Sequence, residues 1–177
     1  MLNELVSMNF DRTSRLARRL LGSNLPNRGY RGQQGDKIYI TKGIFATEGE
    51  GVYIALDPGL AEELGGHAGG YLLELEFRLN NPIRVREPLY ILNEADELEE
   101  PIDYGDSDWL KASKLAYQGA MEKHHSWSEA HNFLGHFLTR ALKSWGYDGV
   151  WIDSSPDDKW VVVFNPGNVK IIKAQLL

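Results

Sequence analysis

The apolar pattern of residues 127–172 constrains the fold of this chain more than any other part of the sequence. Apolar side chains recur there at helical spacing and mark one face of a helix: Trp127, Ala130, Leu134, Phe137, Leu138, Ala141 and Trp145. Three runs rich in β-branched and aromatic residues follow at 149–152, 159–164 and 169–172, with a polar turn at 153–158. Such runs favour strands, so this region predicts an amphipathic helix followed by three strands.

The start of that helix carries its own signal. Ser126 and Glu129 have the spacing of a capping box, in which the Ser side chain and the Glu side chain each satisfy a free backbone N–H. A further helix is expected at 109–121, and the pair at 124–125 marks the break between the two helices.

The N-terminal half predicts strands. Residues 71–79 show the clearest alternation of the chain, and one face of this expected strand is apolar: Leu73, Leu75, Phe77 and Leu79. Residues 29–32 and 51–55 predict two more strands, and weaker patterns occur at 37–40 and 83–85.

Short helical segments complete the pattern. Asp57 and Pro58 are expected to open a helix that ends at residues 65–66, because Asp is favoured at the N-cap and Pro at the first helical position. A helix is also expected in the second half of residues 1–22, within an N-terminal extension (1–28), and another near 90–98. Strands and helices without strict βαβ alternation predict one α+β domain spanning residues 1–177.

Composition excludes several classes of protein. The chain has 177 residues, a net charge of −6 and no cysteine, so disulfide frameworks and thiolate zinc sites are excluded. The net charge disfavours nucleic acid as a partner. No apolar run approaches the roughly 20 residues of a membrane span, and the N-terminus lacks the pattern of a signal peptide. We therefore expect a cytoplasmic protein without a membrane partner.

The charge is unevenly distributed. Six arginines lie within residues 12–31, whereas residues 94–108 carry eight acidic side chains and no basic one. This polarity either steers a charged partner or only solvates two faces of the molecule.

Four short segments, in this order along the chain, resemble ADP-ribosyltransferase-like domains. They read YRG at 30–32, GVYIALDPGLA at 51–61, LNNPIRV at 79–85, and GYDG leading to VVFNP at 146–166. The resemblance implies an α+β fold with a split pair of small antiparallel sheets and helices flanking the cleft. It also implies NAD as the bound dinucleotide, and a bacteriophage or bacterial toxin-like origin.

The activity implied by the resemblance is NAD-dependent transfer of ADP-ribose to a macromolecular acceptor, with protein the favoured class. The residues implied are Arg31, Gly32 and Tyr53. Arg31 would bind the pyrophosphate or a ribose hydroxyl, because its planar fork binds oxygens in pairs. Gly32 would allow close approach of nicotinamide, and Tyr53 would stack near its ring. The alternative readings are a surface arginine for Arg31 and a core tyrosine for Tyr53.

This chain departs from the family's pattern at the position of the catalytic acid. Counting back from Phe164 places Trp160 where the family has a Glu. Asp158, two positions earlier, is the candidate acid if the hairpin shifts its register; otherwise Asp158 is a turn residue and the acid is absent.

Three rival interpretations stay open. A catalytically degenerate member of the family would inactivate a partner by binding it. A toxin-type ribonuclease would use the basic region 12–31, and a virion-associated domain would need neither site. The histidines at 124, 125, 131 and 136 lack a spacing at which they would readily share one metal ion. Asp148 is most simply a turn residue between helix and strand.

Overall fold

The computed structural model describes residues 27–35, 37–42, 48–65, 69–85, 107–123, 127–153 and 159–177. Within these ranges the chain forms seven strands and three helices. The strands are β1 (Arg28–Gln33), β2 (Val52–Ala55), β3 (Tyr71–Phe77), β4 (Pro82–Val85), β5 (Gly149–Asp153), β6 (Lys159–Val163) and β7 (Val169–Leu176). The helices are α1 (Pro58–Gly65), α2 (Ser107–Lys123) and α3 (Trp127–Ser144), and a 3₁₀ turn (Pro166–Asn168) precedes β7.

All seven strands belong to one hydrogen-bonded sheet in the order β4-β5-β6-β2-β1-β3-β7. The α+β class is therefore confirmed. The described strands do not form the expected split pair of small antiparallel sheets, because they belong to one sheet. At one edge of this sheet β4 and β5 also run parallel, with Ile83 opposite Val150. Helices α2 and α3 lie between these two strands in the sequence, and a parallel pair requires such a long crossover connection.

The sheet bends sharply between its two edges. Only residues 78–81 connect β3 to β4, and five extended residue steps reach at most about 18 Å. In a flat sheet, five strand spacings would separate β3 from β4 by about 24 Å. The second half-sheet (β1, β3 and β7) must therefore fold over the first half-sheet (β4, β5, β6 and β2).

Two hydrophobic cores follow from this bend. The first core lies between the first half-sheet and helices α2 and α3, and the second core joins the facing surfaces of the two half-sheets. Strand β5 shows the division, because Val150 and Ile152 belong to the first core and Trp151 to the second. Burial of both faces explains why β5 and β6 are almost continuously apolar, without the alternation seen in β3.

The helices fill the first core as the periodicity predicts. Helix α3 presents Ala130, Leu134 and Leu138 buried, with Phe137 and Ala141 partly buried beside them. Trp145, directly after the end of α3, also packs partly buried against this core. Helix α2 presents buried alanines at every fourth position, Ala112, Ala116 and Ala120. These small side chains let α2 lie close to α3.

The alternation in β3 is also confirmed, since Leu73, Leu75, Phe77 and Leu79 are buried in the second core. Asp57 caps α1 as expected, because its Oδ1 accepts a hydrogen bond from the backbone N–H of Leu60 at 3.1 Å. The expected helices at 1–22 and 90–98, the cap at Ser126 and the turn at 154–158 lie outside the described residues.

The strand expected at 37–40 is wrong. These residues form no strand, and Ile38 and Tyr39 are 44% and 50% exposed. Their alternation has no neighbouring strand to pair with in the described part of the chain. The backbone carbonyl of Lys37 instead accepts a hydrogen bond from the Gln33 side chain.

Candidate functional site

The two half-sheets meet at a narrow junction. Strand β1 is paired with β3 along its whole length, but the described β1–β2 pairing is the single residue pair Tyr30–Ala55. Gly29 lies at this contact, where an added Cβ would come within 2.5 Å of the Ala55 carbonyl oxygen and 2.6 Å of Ile54 Cγ2. Beyond Tyr30 the register would place Gly32 opposite Tyr53, yet the described strands do not pair there. We call this unpaired stretch, with Gly32 on β1 and Tyr53 on β2, the gap.

The residues singled out from the sequence lie on both faces of the sheet at this gap. Arg31 pairs with Leu73, which belongs to the second core, so its side chain lies on that face. Tyr53 packs against the first core, on the opposite face. Gly32 alternates with Arg31 and so shares the face of Tyr53. A ligand lying in the gap would therefore contact residues of both faces.

Arg31 uses both terminal nitrogens of its guanidinium on one residue. Nη1 donates to the backbone carbonyl oxygen of Thr41 at 2.7 Å, and Nη2 donates to Thr41 Oγ1 at 3.3 Å. Burial away from water lowers the pKa of Arg31, an effect opposed by the nearby Tyr39. The side chain stays charged at neutral pH, so a partly buried cation faces two neutral oxygens.

Tyr53 is tied to the segment that precedes β2. Its hydroxyl lies 2.9 Å from the backbone carbonyl oxygen of Gly49 and 3.1 Å from Glu48 Oε2. Burial, reinforced by the Glu48 carboxylate, raises the pKa of the Tyr53 hydroxyl far above its usual value. The residue therefore acts as a neutral hydrogen-bond donor. These contacts agree with a structural tyrosine, and its role at a nicotinamide ring stays a prediction.

Trp160 lies near Tyr53 on the same face of the sheet. It pairs with Ala55 across the β2–β6 ladder and packs, half buried, against the first core. No carboxylate is present at this position, where the resemblance implies an acid. Asp158 lies outside the described residues, directly before Lys159, at which β6 begins.

A cluster of polar residues around Glu50, three positions before Tyr53, was not predicted from the sequence. Glu50 Oε2 lies 3.0 Å from His136 Nδ1, and Glu50 Oε1 lies 3.6 Å from Lys42 Nζ. The backbone N–H of Glu50 donates to Thr139 Oγ1 at 2.7 Å. These contacts join the start of β2 to α3. No sequence signal could have found them, because Glu50 and His136 are 86 positions apart.

The described ranges contain no group of three or more His, Cys, Asp or Glu side chains that could hold a metal ion. None of the helices in these ranges is long and apolar enough to cross a membrane.

Comparison with known proteins gives one distant likeness. No protein-family model matches the chain, and no curated protein matches it. Among solved structures, one described as the crystal structure of an anti-CRISPR protein is similar at a TM-score of 0.39 and 17% sequence identity. The match covers 82% of this chain and 94% of that one. At this level of similarity a shared fold is not established.

Proposed function

We propose that this chain has an ADP-ribosyltransferase-like fold and binds NAD in the gap between β1 and β2. It transfers ADP-ribose from NAD to a macromolecular acceptor, and protein is the favoured class of acceptor. The observation that carries the proposal is the placement of Arg31, Gly32 and Tyr53 around that gap. These residues come from two of the four segments on which the resemblance rests. They lie on two neighbouring strands that are joined by one residue pair.

The chemistry of Arg31 fits a dinucleotide. Its Nη1 and Nη2 already bind two oxygens of one residue, Thr41, and a pyrophosphate offers oxygens in similar pairs with negative charge. Gly32 has no side chain to block the gap, and the ring of Tyr53 supplies an apolar wall on the other face.

The reaction itself requires charge stabilisation at the ribose. The bond between ribose C1′ and the nicotinamide nitrogen breaks, and nicotinamide leaves with the electron pair. The nucleophile of the acceptor forms the new bond to C1′ and loses its proton. Arg31 would hold the pyrophosphate while positive charge develops at C1′. Asp158 is the candidate to bind the ribose hydroxyl and orient the nucleophile.

A second candidate function is supported by Trp160. An indole packed against the first core occupies the position at which the resemblance implies the acid. A member of the family that has lost catalysis would keep the gap and inactivate a partner by binding. This alternative requires no chemistry from Asp158.

The test is release of nicotinamide from NAD and transfer of label to a bacterial lysate. We expect activity in the wild type, its loss in Arg31→Ala and Asp158→Ala, and its retention in Arg28→Ala. Arg28 is the matched control because it lies on the same strand with an exposed side chain, 3.6 Å from Glu74.

Each result selects one interpretation. NAD binding by calorimetry without release would favour the non-catalytic member of the family. Absence of both binding and release would exclude the NAD-dependent function. Equal loss of activity in Arg28→Ala and Arg31→Ala would remove the specific role of Arg31.

A further inference from the structure

Residues 37–42 cover the same face of β1 that carries Arg31, and we call them the strap. Thr41, near one end of the strap, accepts both hydrogen bonds from Arg31. Lys37, at the other end, accepts a hydrogen bond from Gln33 through its backbone carbonyl. Arg31 and Gln33 are two positions apart on one strand, so their side chains leave the same face.

Gln33 is poorly satisfied beneath the strap. The residue is only 8% exposed, and its Oε1 atom is buried with no hydrogen-bond partner among the described residues. A buried acceptor without a donor opposes the conformation that buries it, because water would satisfy it on opening. The Oε1 atom of Gln33 therefore disfavours the closed strap and opposes the hydrogen bond that Nε2 donates to Lys37.

Arg31 is also held by weaker partners than it can bind. The two Thr41 oxygens carry no charge, whereas a phosphate adds an opposite charge and can accept two parallel hydrogen bonds from one guanidinium. Because Thr41 engages both Nη1 and Nη2, a phosphate group that binds the same two nitrogens must displace it.

Few apolar contacts hold the strap in place. Ile38 and Tyr39 are about half exposed, and Ile40 is only partly buried against the second core. Lys42 adds an ion pair of 3.6 Å to Glu50. Segments with few buried apolar contacts open at low free energy, so a ligand can compete with the strap.

We propose that the strap is an internal competitor for an anion site on Arg31, with Thr41 occupying the place of a phosphate group. A phosphate-containing ligand binds only after Thr41 releases the guanidinium, and opening also frees Gln33 Oε1 to accept a hydrogen bond. The assignment of a dinucleotide as the natural ligand rests on the proposed function. The competition between Thr41 and a phosphate anion does not.

The experiment compares Thr41→Val with Thr41→Ser in the full chain, using inorganic pyrophosphate as the probe. Valine keeps the branched shape but removes the hydroxyl acceptor, and serine keeps it. Loss of one competing hydrogen bond, which is long at 3.3 Å and exposed, raises the open population and hence the affinity by about two- to tenfold. We expect this gain in Thr41→Val by calorimetry, an unchanged affinity in Thr41→Ser, and loss of binding in Arg31→Ala but not in Arg28→Ala.

Hydrogen exchange of the strap supplies a second readout, and its first comparison needs no ligand. The amides of residues 38–42 should exchange faster in Thr41→Val than in the wild type, and faster in the wild type when pyrophosphate is added. Equal exchange and equal pyrophosphate affinity in Thr41→Val and the wild type would overturn the proposal. So would the absence of pyrophosphate binding across the millimolar range, or binding that leaves the exchange of the strap unchanged.

The same data separate this inference from the NAD-dependent function. If the strap competes but NAD is not the ligand, pyrophosphate binds and Thr41→Val shows the gain, while nicotinamide is never released. If NAD is the ligand but the strap does not compete, nicotinamide is released and Thr41→Val behaves as the wild type.

Discussion

Asp148 and Asn81 are hydrogen-bonded to each other at the link between the two half-sheets, although they are 67 positions apart in the sequence. Asp148 Oδ1 accepts the backbone N–H of Asn81 at 3.0 Å, and the backbone N–H of Asp148 donates to the Asn81 carbonyl oxygen at 3.2 Å. Asp148 Oδ2 also accepts the backbone N–H of Asn80 at 2.6 Å. With both carboxylate oxygens engaged, Asp148 has a structural role.

Replacement of Asp148 should therefore cost stability. We expect Asp148→Ala to lower the free energy of unfolding by about 2–3 kcal/mol, because hydrogen bonds to a charged acceptor are lost and two backbone donors remain. Urea unfolding measures the change. Asp153→Ala is the control, since its carboxylate pairs with Lys159 at 3.0 Å but is half exposed, and it should cost at most about 1 kcal/mol. Equal losses of unfolding free energy in both variants would contradict the structural role of Asp148.

Gly29 should tolerate no side chain. In Gly29→Ala the new methyl group would meet the backbone carbonyl of Ala55, which cannot move without moving β2. We expect a loss of about 3 kcal/mol in the free energy of unfolding. Gly35→Ala serves for comparison, because its φ of +93° is strained for alanine but no atom lies within 4 Å, and about 1 kcal/mol is expected. A smaller loss for Gly29→Ala than for Gly35→Ala would show that β1 and β2 are not in close contact.

Glu50 should make stability depend on acid pH. The hydrogen bond from His136, with a further contribution from Lys42, lowers the pKa of Glu50, although burial acts in the opposite direction. A carboxyl group whose pKa falls on folding adds stability above its unfolded pKa and loses it as the pH falls through the folded pKa. We expect the difference in unfolding free energy between wild type and Glu50→Gln to be present at neutral pH and to shrink below about pH 4.5.

A double-mutant cycle with His136→Ala checks the cause of that dependence. If His136 is the main partner, the effect of Glu50→Gln becomes smaller in the His136→Ala background. An undiminished effect would assign the shift to Lys42 instead.

Tyr53 allows its structural and binding roles to be separated. Tyr53→Phe keeps the ring and removes the hydroxyl that reaches Gly49 and Glu48, so we expect a loss of about 1 kcal/mol in unfolding free energy. NAD affinity should stay the same if the ring is the contact, whereas Tyr53→Leu should weaken it. Calorimetry with NAD distinguishes the two, and weakening in Tyr53→Phe equal to that in Tyr53→Leu would assign the contact to the hydroxyl.

Local patterns predicted the individual elements because burial repeats at the period of each element. The alternation of Leu73, Leu75 and Phe77 reports one buried face of β3, and the Asp57 cap needs only Leu60, three residues away. The same reasoning failed at 37–40, where a weak alternation pairs with no strand in the part of the chain that the structure describes. A period of two identifies a strand only where a neighbour can complete its hydrogen bonds.

The gap and the strap depend on contacts between segments that no local sequence pattern predicts. Arg31 was singled out by resemblance, but its engagement by Thr41 follows from the path of the chain after β1. The pairing of Glu50 with His136 likewise requires α3 to pack beside the start of β2.

By itself, the sequence determined the α+β class, the apolar faces of the helices and the positions of most strands. The reason is that the spacing of apolar residues within each element reflects which of its side chains are buried. The tertiary structure decided the parallel pairing of β4 with β5, the bend between the half-sheets and the faces on which Arg31 and Tyr53 lie. Strand order and register depend on how far the connections can reach and on which distant residues exclude water together. A four-residue link after β3 forces that bend, although nothing in its own composition predicts it.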